Sequence, residues 1–213
     1  MLIKRHKWSL SVLAVSALAA SAAPAYAVQK GDWLIRAGVG QVAPNVSSTG
    51  FSGAPTLKVE DASDSTNLCV NFTYMLTDNL GVELLGAIPF KHDITVTGLG
   101  EVAEVTQLPP TVMVTHNFAP KSNIRPYAGI GVNHTIFFKE KTKGALAGTS
   151  LDLDPSTGLA AMVAVDADIN KSMFFNAGLR YIKIKTTATS SAAGTADVDL
   201  DPWVLFLGVG FKL

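Results

Sequence analysis

Trp203-Val204-Leu205-Phe206-Leu207-Gly208-Val209-Gly210-Phe211-Lys212-Leu213 alternates between two unlike sets of side chains. One parity carries Trp203, Leu205, Leu207, Val209, Phe211 and Leu213; the other carries Val204, Phe206, Gly208, Gly210 and Lys212. A period of two with one wholly apolar face, rimmed by aromatic rings, describes a β-strand whose apolar side meets a nonpolar medium. A strand in a soluble β-sandwich has the same period. Two further features select between them: the other end of the chain reads as an export signal, and similar strands recur along its length. Together they predict an all-β, eight-stranded antiparallel transmembrane β-barrel of the bacterial outer membrane, closed by its C-terminal strand.

Lys4, Arg5 and Lys7 precede a short apolar run over 8–20, and Ala25-Tyr26-Ala27 has the small-x-small form of a cleavage site. Residues 1–27 are therefore expected to be a cleaved signal peptide and 28–213 a single barrel domain. The run is too short for a spanning helix, and no later stretch approaches the ~18 consecutive apolar residues such a helix requires. Charged residues make up 16% of the chain, against ~25% in typical soluble domains. That suits a wall facing lipid, whereas the outer faces of an exported sandwich would need many more charges. The formal net charge is zero and no phosphate-binding glycine motif is present, so no nucleic-acid partner is expected. Cys69 is the single cysteine, which excludes an intramolecular disulfide and any site needing two thiolates.

The eight strand candidates are 32–42, 66–77, 80–91, 107–118, 125–138, 157–169, 172–187 and 200–213. The second alternates most cleanly, with Leu68, Val70, Phe72, Tyr74 and Leu76 facing out and Asn67, Cys69, Asn71, Thr73 and Met75 facing in. Short, turn-like connections at 77–79, 119–124 and 170–171 alternate with long stretches at 43–65, 92–106, 139–156 and 188–199 that are rich in Gly, Ser, Thr, Asp and Lys. Short periplasmic turns and long outer loops are the barrel pattern. An even strand count pairs the first strand with the last and leaves no open edge in lipid.

Eight strands enclose little more than their own side chains. Arg36, Glu83, Asp166, Asp168 and Arg180 are the expected inward charges, alongside Leu34, Leu85, Phe137, Met162, Ile182, Ile184 and Phe206. Two readings fit this mixture: a solid plug, or a narrow bore that passes an apolar molecule. Pro89 lies near the end of the third strand candidate, and Pro109-Pro110 near the start of the fourth. Each proline removes a ladder donor, and the two strands are hairpin neighbours. Either the wall opens sideways there, or the strands end and the prolines stand above the membrane.

Several segments resemble the outer membrane protein W family, which includes alkane-uptake proteins. They are Phe72-Thr73-Tyr74-Met75, Thr77-Asp78-Asn79-Leu80-Gly81-Val82-Glu83-Leu84-Leu85, Pro89-Phe90-Lys91-His92, Leu108-Pro109-Pro110-Thr111, Arg125-Pro126-Tyr127-Ala128-Gly129-Ile130-Gly131-Val132-Asn133, Phe137-Phe138 and Asp201-Pro202-Trp203-Val204. They run in order through 28–213. The resemblance implies an eight-stranded outer-membrane barrel with a narrow apolar channel, through which small hydrophobic molecules enter from outside and leave sideways into the bilayer. It implies that Leu85 narrows the channel and that Pro89 belongs to the lateral opening. The chain departs from the family at Arg180-Tyr181-Ile182-Lys183, where Trp-Tyr-Met-Asp is usual. The tryptophan that would help Leu85 close the channel is Arg180, and Ile182 stands nearby on the same parity. The last residue is Leu213, where many such barrels end in the phenylalanine that the outer-membrane assembly machinery recognises.

Other constellations carry less. His92, His116 and His134 lack metal-ligand spacing to one another or to Cys69, so no metal is expected. Asp197-Val198-Asp199-Leu200-Asp201 lacks the glycine and distal glutamate of a calcium loop. Its Asp201-Pro202 step is expected to set the start of the last strand. Cys69 has no histidine nearby on its face, and no serine–histidine pairing of a lipid-acting barrel enzyme is present, so neither an enzyme nor a cofactor is expected. Three functional readings follow: a passive conduit for small hydrophobic solutes, a solid barrel whose outer loops serve as a receptor for phage or toxins, and a narrow pore for small polar solutes suggested by Arg180 and Glu83. All place the chain among outer-membrane lipid and lipopolysaccharide.

Overall fold

Alternation of outward apolar and inward mixed side chains sets up eight strands that close on themselves. The computed structural model describes residues 27–213; the expected signal peptide lies outside them except for Ala27. The wall strands are β1 (Trp33–Ala43), β2 (Ser65–Met75), β3 (Leu80–Ala87), β4 (Thr111–Asn117), β5 (Ile124–Thr142), β6 (Ser156–Asp168), β7 (Met173–Ile182) and β8 (Trp203–Lys212). Each pairs antiparallel with its neighbour in the chain, and β1 pairs with β8 from Leu34↔Lys212 to Ala43↔Trp203. Every wall strand therefore has two partners, and no edge is left for lipid to satisfy.

The outward parity meets the expectation. Leu68, Ile130, Leu159, Val163 and Phe175 are more than half exposed, a band of apolar surface far beyond what a soluble wall presents to water. Aromatic pairs mark its two rims. Trp33 and Tyr74 lie 5.0 Å apart at the end with the short turns, and Tyr181 and Trp203 lie 5.2 Å apart at the end with the long connections. Such girdles sit where hydrocarbon gives way to headgroups.

Five strand ends differ from the sequence reading by three residues or more; one is the fifth candidate, read to 138, which runs on to Thr142. The third candidate, read to 91, stops at Ala87, and the fourth, read from 107, starts at Thr111. Pro89 and Pro109-Pro110 interrupt them, as donor-less residues do. The seventh, read to 187, stops at Ile182, and the eighth, read from 200, starts at Trp203. Here Asp201, at φ 31°, turns its carboxylate back across the rim. It accepts from the Ile184 N–H at 3.1 Å, the Tyr181 hydroxyl at 3.0 Å and the Lys183 ammonium at 3.1 Å. This clamp takes Ile184 out of the β7 ladder and sets the start of β8.

The long connections are not simple polar loops. The segments Ala54–Ala62, Phe90–Val96 and Gly100–Leu108 form a sheet that also pairs with the far end of β5, from Ile136↔Leu108 to Thr142↔Ala103. A second sheet joins Leu151–Leu153, Lys185–Ser190, Gly194–Asp199 and Ser47–Ser48. Their polar residues face water, while Phe51, Val59, Val96, Val102, Val105, Ala188 and Val198 turn inward and are buried in one apolar cluster. The polar half of the alternation dominates the composition of these stretches, which is why they read as loops.

Candidate functional site: a charged floor beneath an apolar vestibule

The lumen is divided by chemistry along its axis. Toward the short-turn end, inward side chains form a buried ionic network. Arg36 on β1 holds Asp166 on β6 through two parallel hydrogen bonds, Nε to Oδ1 at 3.0 Å and Nη2 to Oδ2 at 2.7 Å. Its Nη1 donates to Thr73 Oγ1 at 2.8 Å and lies 3.5 Å from Glu83 Oε2. Arg180 on β7 donates from Nη2 to Glu83 Oε1 at 2.8 Å. Asn176 donates to Asp166 at 2.7 Å and to the Tyr127 hydroxyl at 2.9 Å. Below this layer Arg125 pairs with Asp168 at 2.6 Å. Phe174 lies between the two levels, its ring centre 5.4 Å from both Arg36 and Arg125. Gly210 on β8 leaves room for that ring, because a Cβ there would run into it.

Every member of the upper layer is at most 5% exposed. Arg36 and Arg180 are matched by Glu83 and Asp166, so the layer closes without excess charge. Buried ions are tolerable only when paired and hydrogen-bonded in this way. Beside it lies a cavity of about 10 Å³ lined by Asn71, Tyr127, Met162, Asn176, Arg180 and Phe206. Asn71 Oδ1 and Arg180 Nε, which both belong to residues of this lining, have no hydrogen-bond partner among the described residues. That is room for about one water and not for a solute.

Above the floor the lumen turns apolar. Leu85 and Ile182 are buried in the cluster that also holds Phe90, Phe137, Ile184 and Val204. Further out lies a cavity of about 50 Å³. Phe51, Val59, Val102, Val105, Leu151 and Val198 are among its lining, with His92, Gln107 and Ser190 as its polar members. His92 Nδ1 lies 2.6 Å from the Ser63 carbonyl oxygen, and its Nε2 lies 2.9 Å from Gln107 Nε2. Burial pushes the His92 imidazole below its ordinary value, against smaller opposing effects from the Ser63 carbonyl, Asp64 and Asp93.

The prolines lie where the wall changes partners. β3 and β4 pair from Leu80↔His116 to Leu85↔Thr111. The same two chain segments pair again only at Phe90↔Gln107. The wall strands stop at the prolines, and the same two segments pair again beyond them in the outer sheet. Between these points the backbone turns away from the gap. Ile88 N–H donates to Leu68 O at 2.9 Å, Pro89 O accepts from Asn67 Nδ2 at 3.1 Å, and Pro110 O accepts from His134 N–H at 3.0 Å and Asn133 Nδ2 at 3.1 Å.

The residues singled out from sequence therefore fall into three groups. Glu83 and Arg180 meet in the floor, Leu85 and Ile182 belong to the apolar layer above it, and Pro89, Pro109 and Pro110 frame the unpaired stretch of wall. Asp166 was legible as an inward charge, but its pairing with Arg36 was not. His92 and Gln107 were not expected to face a cavity, because both lie in stretches that read as the end of a strand or as loop.

Comparison with known proteins agrees with this architecture. The model of the OmpW family matches residues 29–213. The chain belongs to the OmpW family. It is 42% identical to outer membrane protein W of Vibrio cholerae, covering 97% of this chain and 99% of that one. The crystal structure of the outer membrane protein OprG from Pseudomonas aeruginosa superposes with a TM-score of 0.83 at 36% identity, covering 89% of this chain and 99% of that one. A more distant relative, 27% identical over 89% of this chain and 92% of its own, is the dibenzothiophene metabolism operon protein PahQ of Pseudomonas aeruginosa. This OmpW-family chain is thus an outer-membrane β-barrel, and its exposed apolar band faces lipid.

Proposed function

We propose that this barrel is a passive conduit for small hydrophobic molecules, which enter through the outer cavity and leave sideways into the bilayer between β3 and β4. The observation that carries the reading is the sequence of environments along the lumen: an open apolar vestibule, a closed ionic floor, and an unpaired stretch of wall at the level between them. An apolar solute has no hydrogen bonds to offer the floor. Passing it would separate buried ion pairs, at a cost of several kcal/mol for each charge left without its partner. Moving sideways between strands that share no ladder bonds requires no such separation. Gln107 and Phe137, which pair with each other, both line the vestibule, and Gln107 lies two residues from Pro109. The vestibule thus reaches the edge of the gap. The lipopolysaccharide leaflet resists hydrophobic solutes, and an apolar bore supplies a path that needs no energy input. A relative whose name ties it to dibenzothiophene metabolism supports the same class of solute.

The test is uptake of a small apolar tracer and of a small hydrophilic sugar by cells expressing this chain in a barrel-depleted outer membrane, beside an equally expressed plugged barrel. Selective acceleration of the apolar tracer is expected. Acceleration of the sugar instead would make the barrel a polar pore. Acceleration of neither would turn attention to the outer sheets as a receptor surface.

A further inference from the structure

We infer that Gln107 is the recognition group of the outer cavity, and that its preferred occupant is a small apolar molecule carrying one hydrogen-bond donor, of the phenol or aliphatic-alcohol class. This rests on the reading of that cavity as the solute's way in.

The inference follows from a chain of donors and acceptors. The Ser63 carbonyl can only accept, so His92 Nδ1, 2.6 Å away, carries the ring proton. The neutral imidazole then presents a bare Nε2, which accepts from the group 2.9 Å away, the Gln107 side-chain NH2. The reverse amide orientation would set two acceptors against each other. His92 therefore fixes which way the amide points. With its nitrogen engaged, the Gln107 carbonyl oxygen Oε1 is left with no partner among the described residues, on a side chain that is 3% exposed and lines the cavity. Ser190, the remaining polar side chain of the lining, already accepts from the Ala192 N–H at 3.3 Å. Phe51, Val59, Val102 and Val105 offer only dispersion and apolar area.

A buried acceptor without a donor is costly, and a site built around one discriminates by whether the ligand supplies it. Oε1 is already closed to water, and a hydrocarbon that fills this cavity leaves it unpaired. An ether or ketone brings a second acceptor to the same place. A molecule with one hydroxyl donates to Oε1 and buries the rest of its surface against the aliphatic lining. Gln107 would thus sort solutes by a single polar atom just outside the unpaired stretch of wall.

The experiment uses residues 28–213 in phospholipid nanodiscs, with empty nanodiscs as background. The probes are p-cresol and p-xylene, which differ by a hydroxyl in place of a methyl. The comparison variant is His92→Phe/Gln107→Met. Both positions change together because the single Gln107→Met substitution would leave His92 Nε2 as a substitute acceptor. The ratio of p-cresol to p-xylene affinity is expected to be about tenfold higher in the unmodified chain than in the variant, the size of one recovered hydrogen bond. A second measurement needs no variant: the carbon-13 shift of the Gln107 side-chain carbonyl moves on adding p-cresol and stays fixed on adding p-xylene. If both solutes bind but the ratio is the same in the two proteins and the carbonyl shift is blind to p-cresol, the recognition role is overturned and the conduit stands. If neither solute binds, the inference and the conduit reading fall together.

Discussion

Arg36 and Asp166 meet across the lumen through two parallel hydrogen bonds of 3.0 and 2.7 Å, although β1 and β6 are not neighbours in the wall. The pair ties opposite sides of the barrel together at a point where both side chains are almost completely buried. Removing one partner leaves an uncompensated buried charge, which typically costs about 3–5 kcal/mol. Arg36→Met is therefore expected to destabilise strongly, whereas Arg36→Met/Asp166→Leu recovers much of the loss. Thermal loss of heat-modifiable gel mobility in detergent micelles measures both. Equal destabilisation by the single and double variants would show that the geometry of the pair, and not its charge balance, holds the floor.

The Arg180 guanidinium donates to Glu83 and lies beside the 10 Å³ cavity. Truncation frees Glu83 on that side and joins the space it vacates to the cavity. Arg180→Ala is expected to give small cation-selective conductance steps in planar bilayers where the unmodified barrel gives none. Arg180→Lys keeps the charge opposite Glu83 and should remain closed. A silent Arg180→Ala would mean that Arg36 and Asp166 seal the lumen alone.

The wall was legible in the sequence because alternation and burial coincide there. In β2 the outward set from Leu68 to Tyr74 and the inward set from Cys69 to Met75 fall as the pattern predicts. Parity ceases to inform wherever a strand leaves the wall without changing its alternation. Ile182 and Ile184 are both buried on the same parity, yet the wall stops between them because Asp201 takes the Ile184 N–H. The outer hairpins were hidden for the converse reason: their buried Val96, Val102 and Val105 are diluted by Lys91, Glu101 and Glu104 on the water side. The floor was half legible. Inward charges follow from parity, but their height in the lumen depends on the stagger of the strands, so nothing local connects Arg36 to a residue 130 positions away.

The gap between β3 and β4 yields a prediction for solute exit. Pro89 supplies no N–H, and its carbonyl is turned to Asn67. Pro89→Ala restores a donor next to Ile88, on the strand that faces Pro109-Pro110 across the unpaired stretch. Release of an apolar tracer into the membrane is expected to slow several-fold, with the thermal stability of the barrel unchanged or slightly raised. Binding in the outer cavity should be unaffected, because Pro89 is not part of its lining. Unchanged uptake in Pro89→Ala would remove the lateral exit while leaving the vestibule as a binding site.

His92 ties Ser63, ahead of β2, to Gln107 in the outer sheet, and burial holds its imidazole below the ordinary 6.5. The unfolded chain therefore binds a proton at a higher pH than the folded chain does. Stability from this group is complete above 6.5 and is lost as the pH falls through the lowered folded value. Asp64 and Asp93 oppose the shift without reversing it. Protonation also removes the Nε2 acceptor, so the Gln107 amide must turn its oxygen to the ring. Acidification is thus expected to loosen the outer sheet first, with the wall strands unaffected. Hydrogen exchange of Phe90–Val96 and Gly100–Leu108 amides at neutral and acidic pH measures it. His92→Phe should abolish the pH dependence in those segments, and a dependence that survives the substitution would assign it to the surrounding carboxylates instead.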